Sequence, residues 1–393
     1  MNDTQTTPTT DAKYTPAQVG DRIERGSDEG ETKLYAVIMA GGIGARLWPC
    51  SLRNRPKQFL DLIGGLSLLQ ETQARLAPLI PPERTFVSTR QELADIVADQ
   101  LPMISSSNVL IDLDGSGTAS AVGLAAMHLR RLDPDATMAV LSADHLVVQG
   151  DIFRRVLAAA ECVAAENWLV TIGIRPTSPE TGYGYIEQGE ALPAPEGVAA
   201  FRAARFLEKP DLATAEAFLA DGRHAWNGGM CVWKVQVILD EIAAHMPTLS
   251  AELMEIERLH DRSPGTPAAA QTPQRVWPRV PDKTIEAGVL ENSCWVAVIP
   301  SEFGWSDVGD WAAIYDLLPH DRQGNAVVGQ HRSLDSVNSL IFSDPQKLVA
   351  TLGLADMIVV DTDEVLLICP RSRAQEVKEL TALLNAPGDD ELL

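Results

Sequence analysis

The sequence predicts an α/β protein in which a mainly parallel sheet carries helices on both faces and a small β-rich module follows. Three observations predict it. From Leu34 to about Leu318 short apolar runs alternate with amphipathic stretches, the pattern of strands joined by crossover helices of about 10–15 residues. The first of these runs, Leu34-Tyr35-Ala36-Val37-Ile38-Met39-Ala40, is continuously apolar with β-branched members, as a strand buried on both faces should be. From Gly324 the composition shifts to short β-rich runs spaced by Asp, Gly, Ser and Asn.

Taken in order, residues 1–32 are rich in Thr, Asp, Glu and Gly. They hold no apolar run long enough for a signal peptide or a membrane span, so a disordered tail is expected. A catalytic-sized domain is expected over 33–320. After the first strand, the pattern predicts a helix over Leu66–Leu79, a strand over Thr85–Ser88 and a helix over Gln91–Gln100. Then come a strand at Val109–Asp112, a small-residue helix at Ala119–Leu132, a strand at Thr137–Ser142, a helix at Ile152–Ala165 and a strand at Trp168–Ile174. Residues 262–281, Pro- and Ala-rich, read as a mobile insertion. In the module expected over 321–393, strands are predicted at Asn325–Gly329, Ser339–Phe342, Leu348–Thr351, Met357–Asp361 and Val365–Cys369, with a closing helix at Arg373–Leu384.

Composition narrows the function classes. A chain of 393 residues with a formal net charge of −22 is a poor candidate for nonspecific nucleic-acid or anionic-membrane binding. If it handles a polyanion, its cations must be gathered locally. The five cysteines are scattered, odd in number and without C-x-x-C spacing, which fits free thiols in a reducing compartment and predicts a cytoplasmic protein. No segment reaches 18 apolar residues, so no membrane association is expected.

Chemistry is concentrated where strands end. After Ala40, Gly41, Gly42 and Gly44 leave backbone N–H groups uncovered, and Arg46 and Lys57 place two cations beside them, a combination suited to phosphate oxygens. Neither G-x-x-x-x-G-K-[ST] nor G-x-G-x-x-G is present. Asp144 closes the Thr137–Ser142 strand, and Asp307 stands far downstream in the Gly- and Trp-rich stretch Phe303–Trp311. Two carboxylates together with substrate phosphates are the usual means of holding Mg²⁺. Between them, Glu180-Thr181-Gly182-Tyr183-Gly184-Tyr185-Ile186-Glu187 forms a loop running into a strand, Glu208-Lys209 pairs an acid with a base, and Asn227 sits on a glycine-rich turn. Ligands of such sheets collect at the carboxyl ends of the strands, where the phosphate turn, Asp112 and Asp144 all fall.

The string A-G-G-x-G-x-R-L-W-P followed by P-K-Q-F-L resembles the sugar-nucleotide pyrophosphorylases, most closely the mannose-1-phosphate guanylyltransferases, and the resemblance covers nearly everything after residue 33. It implies a Rossmann-like nucleotidyltransferase sheet with a left-handed β-helix-like tail, transfer of a guanylyl group from GTP to mannose-1-phosphate with Mg²⁺ as cofactor, and a homodimer. Carried over residue by residue, it places Ala40, Gly41, Gly42, Gly44, Arg46, Lys57, Asp112, Thr118 and Asp144 on the nucleotide. Gly182, Tyr183, Gly184, Glu187, Glu208, Lys209, Asn227 and Glu286 fall on the sugar, and Asp144 and Asp307 on the metal. Arg46, Lys57 and Lys209 are the expected catalytic cations. The chain departs from the family where E-P-x-x-R-N-T-A-P is usual: it has Asp112 to Ser120, without the arginine and asparagine, and Gly228 replaces a serine. Three alternatives remain: a pyrophosphorylase for another sugar or base, a glycosyltransferase using Asp112-Leu113-Asp114 as its D-x-D pair, and a noncatalytic sugar-nucleotide-binding regulator.

Overall fold

The computed structural model describes residues 33–112, 117–262 and 282–384. The expected tail (1–32), residues 263–281 of the expected insertion and residues 113–116 of the departing segment lie outside the described residues.

The strands of the first domain are β1 (Leu34–Met39), β2 (Thr85–Arg90), β3 (Val109–Asp112), β4 (Thr137–Ser142), β5 (Leu146–Val147), β6 (Leu169–Ile174), β7 (Tyr185–Leu192), β8 (Ala200–Leu207), β9 (His224–Lys234), β10 (Val296–Ser301) and β11 (Trp305–Ser306). Its helices are α1 (Leu68–Leu76), α2 (Ala94–Gln100), α3 (Gly117–Leu132), α4 (Gly150–Ala165), α5 (Leu212–Asp221), α6 (Val235–His245), α7 (Pro247–Arg262) and α8 (Trp311–Leu317). Nine strands form one sheet in the order β3-β2-β1-β4-β9-β6-β10-β8-β7. The first part of the sheet, β3-β2-β1-β4, is parallel throughout, as the alternating pattern predicts. Beyond β4 the sheet is mixed: β9 runs antiparallel to both β4 and β6, and β7 and β8 pair antiparallel. For β7 and β8 the cause is local, since the loop between them is too short for the crossover that parallel neighbours require.

Side chains of β1 alternate between two cores, as the period of a strand requires. Ala36 and Ile38 pack with Leu69 and Leu76 of α1, Val97 of α2 and Phe153 and Leu157 of α4. Val37 faces the other way, toward Val122 and Ala126 of α3, Ile238 of α6 and Leu249 and Leu253 of α7. Helices therefore cover both faces, and loops at the strand ends remain as the place for a ligand. None of the helices among the described residues is long and apolar enough to cross a membrane.

The C-terminal strands are β12 (Ala326–Val328), β13 (Gln330–Leu334), β14 (Leu340–Ser343), β15 (Leu348–Leu352), β16 (Met357–Asp361) and β17 (Leu366–Pro370). β12, β14 and β16 stack in parallel on one side and β13 and β15 on another, a β-helix-like coil, while β17 closes it antiparallel. β13 is absent from the sequence prediction because Gln330-His331-Arg332-Ser333 is polar and largely exposed, leaving no apolar alternation to read. The closing segment is a 3₁₀ stretch, Arg371–Glu376, followed by α9 (Val377–Leu383). This module shares one buried core with the first domain: Leu340, Ile358, Val360, Ala374 and Val377 pack with Leu47, Trp48, Leu60, Trp311 and Ile314. The indole N–H of Trp311 donates to the Trp48 carbonyl at 2.9 Å inside that core.

Candidate active site

The turn after β1 is held from beneath. Ala40 N–H donates to the Ser88 carbonyl of β2 at 2.7 Å, and the Ala40 carbonyl accepts from Thr89 Oγ1 and Gln58 Nε2. Gln58 also donates to the Gly42 carbonyl at 3.0 Å, so one buried amide fixes two points of the turn. Gly41 and Gly42 are exposed, and a Cβ on either would meet nothing within 4 Å. Gly44 differs: its φ is +73° and a Cβ there would lie 2.5 Å from the Cβ of Lys57, so this position admits only glycine without displacement. Arg46 follows on a single turn, Ala45–Leu47, where its Nη1 donates to Gln375 Oε1 at 2.9 Å.

Lys57 is almost wholly buried and its ammonium lies between the Asp144 carboxylate and the Asp307 main chain. Nζ is 2.9 Å from Asp144 Oδ2 and also donates to the main-chain carbonyl of Asp307. Asp144 stands two residues past β4, with Ser142 Oγ donating to its other oxygen. Burial alone would raise the Asp144 carboxyl, but the Lys57 ammonium, with His145 and the Ser142 hydroxyl, outweighs it and brings the pKa down to about 2. The antiparallel ribbon of β5 and β11, with Ser306 opposite Leu146, brings the Asp307 loop beside Asp144. Trp305 Nε1 donates to His145 Nδ1 at 3.2 Å, leaving Nε2 to carry the proton 3.9 Å from Asp144. Burial holds His145 below its ordinary pKa, in keeping with that neutral ring.

Tyr183 joins the two halves of the site. Its hydroxyl donates to Asp307 Oδ1 at 2.9 Å, and its ring packs edge-on against Trp226 and Trp305. Burial, together with the Asp307 charge, pushes the phenol well above its usual range, so it remains a donor. Behind it, Lys209 N–H donates to the Tyr183 carbonyl and Asn227 N–H to the Gly184 carbonyl, gathering the three segments that the sequence resemblance assigns to a sugar. A Cβ at Gly184 would lie 2.6 Å from Glu208 Oε2 and 3.6 Å from Asn227 Cβ, so these groups line one space. The exposed Lys209 ammonium pairs with Glu208 at 2.9 Å. Glu286, on the one-turn π-helix Glu286–Leu290, is raised by burial and in part by the nearby Glu208 charge. Glycine at 228 has a steric reason: a Cβ would lie 2.7 Å from the Ile172 carbonyl.

Of the residues singled out in the sequence, the structure gathers Ala40 to Gly44, Arg46, Lys57, Asp144, Tyr183, Gly184, Glu208, Lys209, Asn227, Glu286 and Asp307 around the strand ends. Gly182 is exposed on the loop before Tyr183. Asp112 ends β3, next to Arg90 across the β2 register. Thr118 opens α3 and accepts from the Ile285 N–H at 3.0 Å, tying the nucleotide side to the segment that carries Glu286. Glu187 stands apart. It lies farther along β7, opposite His224 and Arg205, in a separate cavity with Arg223 4.0 Å away. Sequence reasoning gave no role to His145, Gln58 or Gln375. His145, directly after Asp144, and Gln58, directly after Lys57 in the P-K-Q-F-L string, both carried a signal; Gln375 carried none.

The donor set can be tested for a metal. Among the described residues no group of three or more His, Cys, Asp or Glu side chains converges as a cation cage. The ribbon of β5 and β11 sets the Asp144 and Asp307 loops side by side, and two aspartates with no histidine or cysteine cluster among the described residues suit a hard divalent cation that keeps water and substrate oxygens in its shell and do not suit zinc.

A family model for nucleotidyl transferase matches residues 35–324, and one for the MannoseP isomerase/GMP-like β-helix domain matches 329–384. The chain is 38% identical to a mannose-1-phosphate guanylyltransferase of Klebsiella pneumoniae over 90% of this chain and 74% of that relative. It is 34% identical to the xanthan biosynthesis protein XanB of Xanthomonas campestris over 91% and 74%. A crystal structure from Thermus thermophilus, described as a mannose-1-phosphate geranyltransferase, superposes with a TM-score of 0.79 at 33% identity, covering 90% of this chain and all of that one.

Proposed function

The chain belongs to the nucleotidyl transferase family, and on that premise we propose that it transfers the guanylyl group of GTP to mannose-1-phosphate, giving GDP-mannose and pyrophosphate. The observation that carries this reading is the junction at Tyr183, where a sugar-side loop and a carboxylate loop meet beside a bare glycine turn and a buried lysine. A sugar-phosphate oxygen, ionised near neutral pH because the second phosphate pKa is about 6, attacks the α-phosphorus in line. A new P–O bond forms, the bond to the β-phosphate bridging oxygen breaks, and pyrophosphate departs with that electron pair. No protein nucleophile or general base is needed.

What this chain supplies is position and charge. The N–H groups of Gly41 and Gly42 and the cations Arg46 and Lys57 receive the triphosphate. Lys209 receives the sugar phosphate, and Glu208, Asn227 and Glu286 present acceptors to sugar hydroxyls. Asp144 and Asp307 would hold a divalent cation, Mg²⁺ by the hardness and number of their oxygens, which neutralises charge on the triphosphate. Tyr183 keeps the Asp307 carboxylate aimed while its own backbone holds Lys209.

Release of pyrophosphate from GTP with mannose-1-phosphate tests the reading. The sugar side keeps its polar groups, Glu208, Lys209, Asn227 and Glu286, and a bound sugar with a wrong hydroxyl would cover them and leave them unpaired, whereas the nucleotide segment from Asp112 to Ser120 lacks the family's arginine and asparagine. Replacing mannose-1-phosphate by glucose-1-phosphate is therefore expected to lower kcat/KM more than replacing GTP by ATP or dTTP. Absence of pyrophosphate release would favour a binding regulator. Strict GTP use with indifference to the hexose would reverse the assignment of the two halves.

A further inference from the structure

We propose that Gln375, in the C-terminal module, is a positioning residue for the triphosphate: it orients the Arg46 guanidinium, so the β-helix-like module helps set the nucleotide cradle. The inference rests on the reading above that Arg46 faces the triphosphate.

The geometry is a relay of three side chains. Arg46 Nη1 donates to Gln375 Oε1 at 2.9 Å, and Gln375 Nε2 donates to Asp310 Oδ2. Asp310 is buried, and its other oxygen caps α8 by accepting the N–H groups of Ala312 and Ala313 at 2.9 and 3.0 Å. An ionised carboxylate only accepts and a guanidinium only donates, so the amide of Gln375 has one workable orientation between them. Flipped, it would set oxygen against oxygen and N–H against N–H. The relay is thus polarised from the α8 cap to the phosphate turn.

The backbone on either side of the relay is fixed. Leu47, adjoining Arg46, is buried in the same core as Ala374 and Val377, which flank Gln375. A long arginine side chain otherwise loses considerable rotamer freedom on binding, and one guanidinium donor held by Gln375 leaves four for oxyanions. Asp310 lies three residues beyond Asp307, so the relay also ties the arginine to the loop that carries the second carboxylate.

Steady-state kinetics of Gln375→Ala, Arg46→Ala and the double variant test this, with melting temperatures as a check on folding. Gln375→Ala is expected to raise KM for GTP about three- to tenfold, the scale of coupling between side chains in one network. KM for mannose-1-phosphate and the melting temperature should stay near wild type. In the Arg46→Ala background the same substitution should add nothing, because its effect runs through the missing guanidinium. An equal rise in both backgrounds, or unchanged KM for GTP in Gln375→Ala, would overturn the positioning role while leaving the cradle intact. Unchanged GTP kinetics in Arg46→Ala would overturn both the cradle assignment and this inference.

Discussion

Lys57 and Asp144 form the most buried charge pair at the site, and the two acidic residues around that lysine differ in what their loss should do. Asp144→Asn removes the counter-charge of an ammonium whose side chain is 6% exposed. The cost expected is about 2–3 kcal/mol, below the full figure for a broken buried pair because Asp144 itself is partly open to solvent. Because its folded pKa is depressed, Asp144 contributes stability that is present above the ordinary carboxylate value and is lost as pH falls toward 2. Asp307→Asn removes charge but keeps an acceptor for Tyr183, so thermal denaturation should show it near wild type and activity should show it largely lost. Equal melting losses in the two variants would contradict this division. Glu286 has the opposite sign. Its raised pKa means the folded state holds the proton more tightly, so its contribution to stability falls as pH rises. Glu286→Gln should therefore melt higher than wild type at neutral pH, with the gap closing as pH falls below about 4, where both states of the wild type become protonated. KM for mannose-1-phosphate should rise in the same variant by roughly tenfold, the scale of one lost hydrogen bond to a charged group.

On the proposed function, the element that receives the triphosphate is the turn from Ala40 to Lys57. Its glycines are not equivalent. Gly44 combines a left-handed backbone with a close approach to Lys57, so Gly44→Ala is strained twice, by about 1–3 kcal/mol for the backbone alone. Relief of the clash moves Lys57 away from Asp144. The expected result is a drop in kcat/KM for GTP of about tenfold or more, with circular dichroism unchanged because β1 and its neighbours are fixed elsewhere. A fully active Gly44→Ala enzyme would show the Lys57 side chain to be movable without consequence. The ribbon of β5 and β11 acts at the same scale: two residues on each strand suffice to bring Asp144 and Asp307, 163 positions apart in sequence, to one lysine.

At the scale of the molecule, the β-helix-like module and the nucleotidyl transferase domain share a core, so they should unfold together. Leu340→Ala, in the second turn of that coil and fully buried, should cost about 2–5 kcal/mol. Calorimetry should show one transition displaced to lower temperature, with excess GTP shifting it back by mass action. Two separated transitions, only one of them moved by Leu340→Ala, would mean that Trp48 and Trp311 hold the first domain without help from the module.

The sequence by itself determined the parallel strands of the first part of the sheet, because burial on both faces writes a continuous apolar run that needs no context to read. It singled out the glycine turn after β1, the Asp144 and Asp307 carboxylates and the segments from Tyr183 to Asn227, which the structure brings together, because each shows particular residue types within a few positions. It did not determine the antiparallel placement of β9, the polar strand β13 or the separate position of Glu187, since strand order and facing are settled by pairing between distant segments. Nor did it carry Gln375, an exposed glutamine on an unremarkable helical turn. Only the tertiary structure decided that this amide meets Arg46 across 329 residues of chain, for hydrogen-bond geometry between remote segments leaves no periodicity and no local spacing in the sequence.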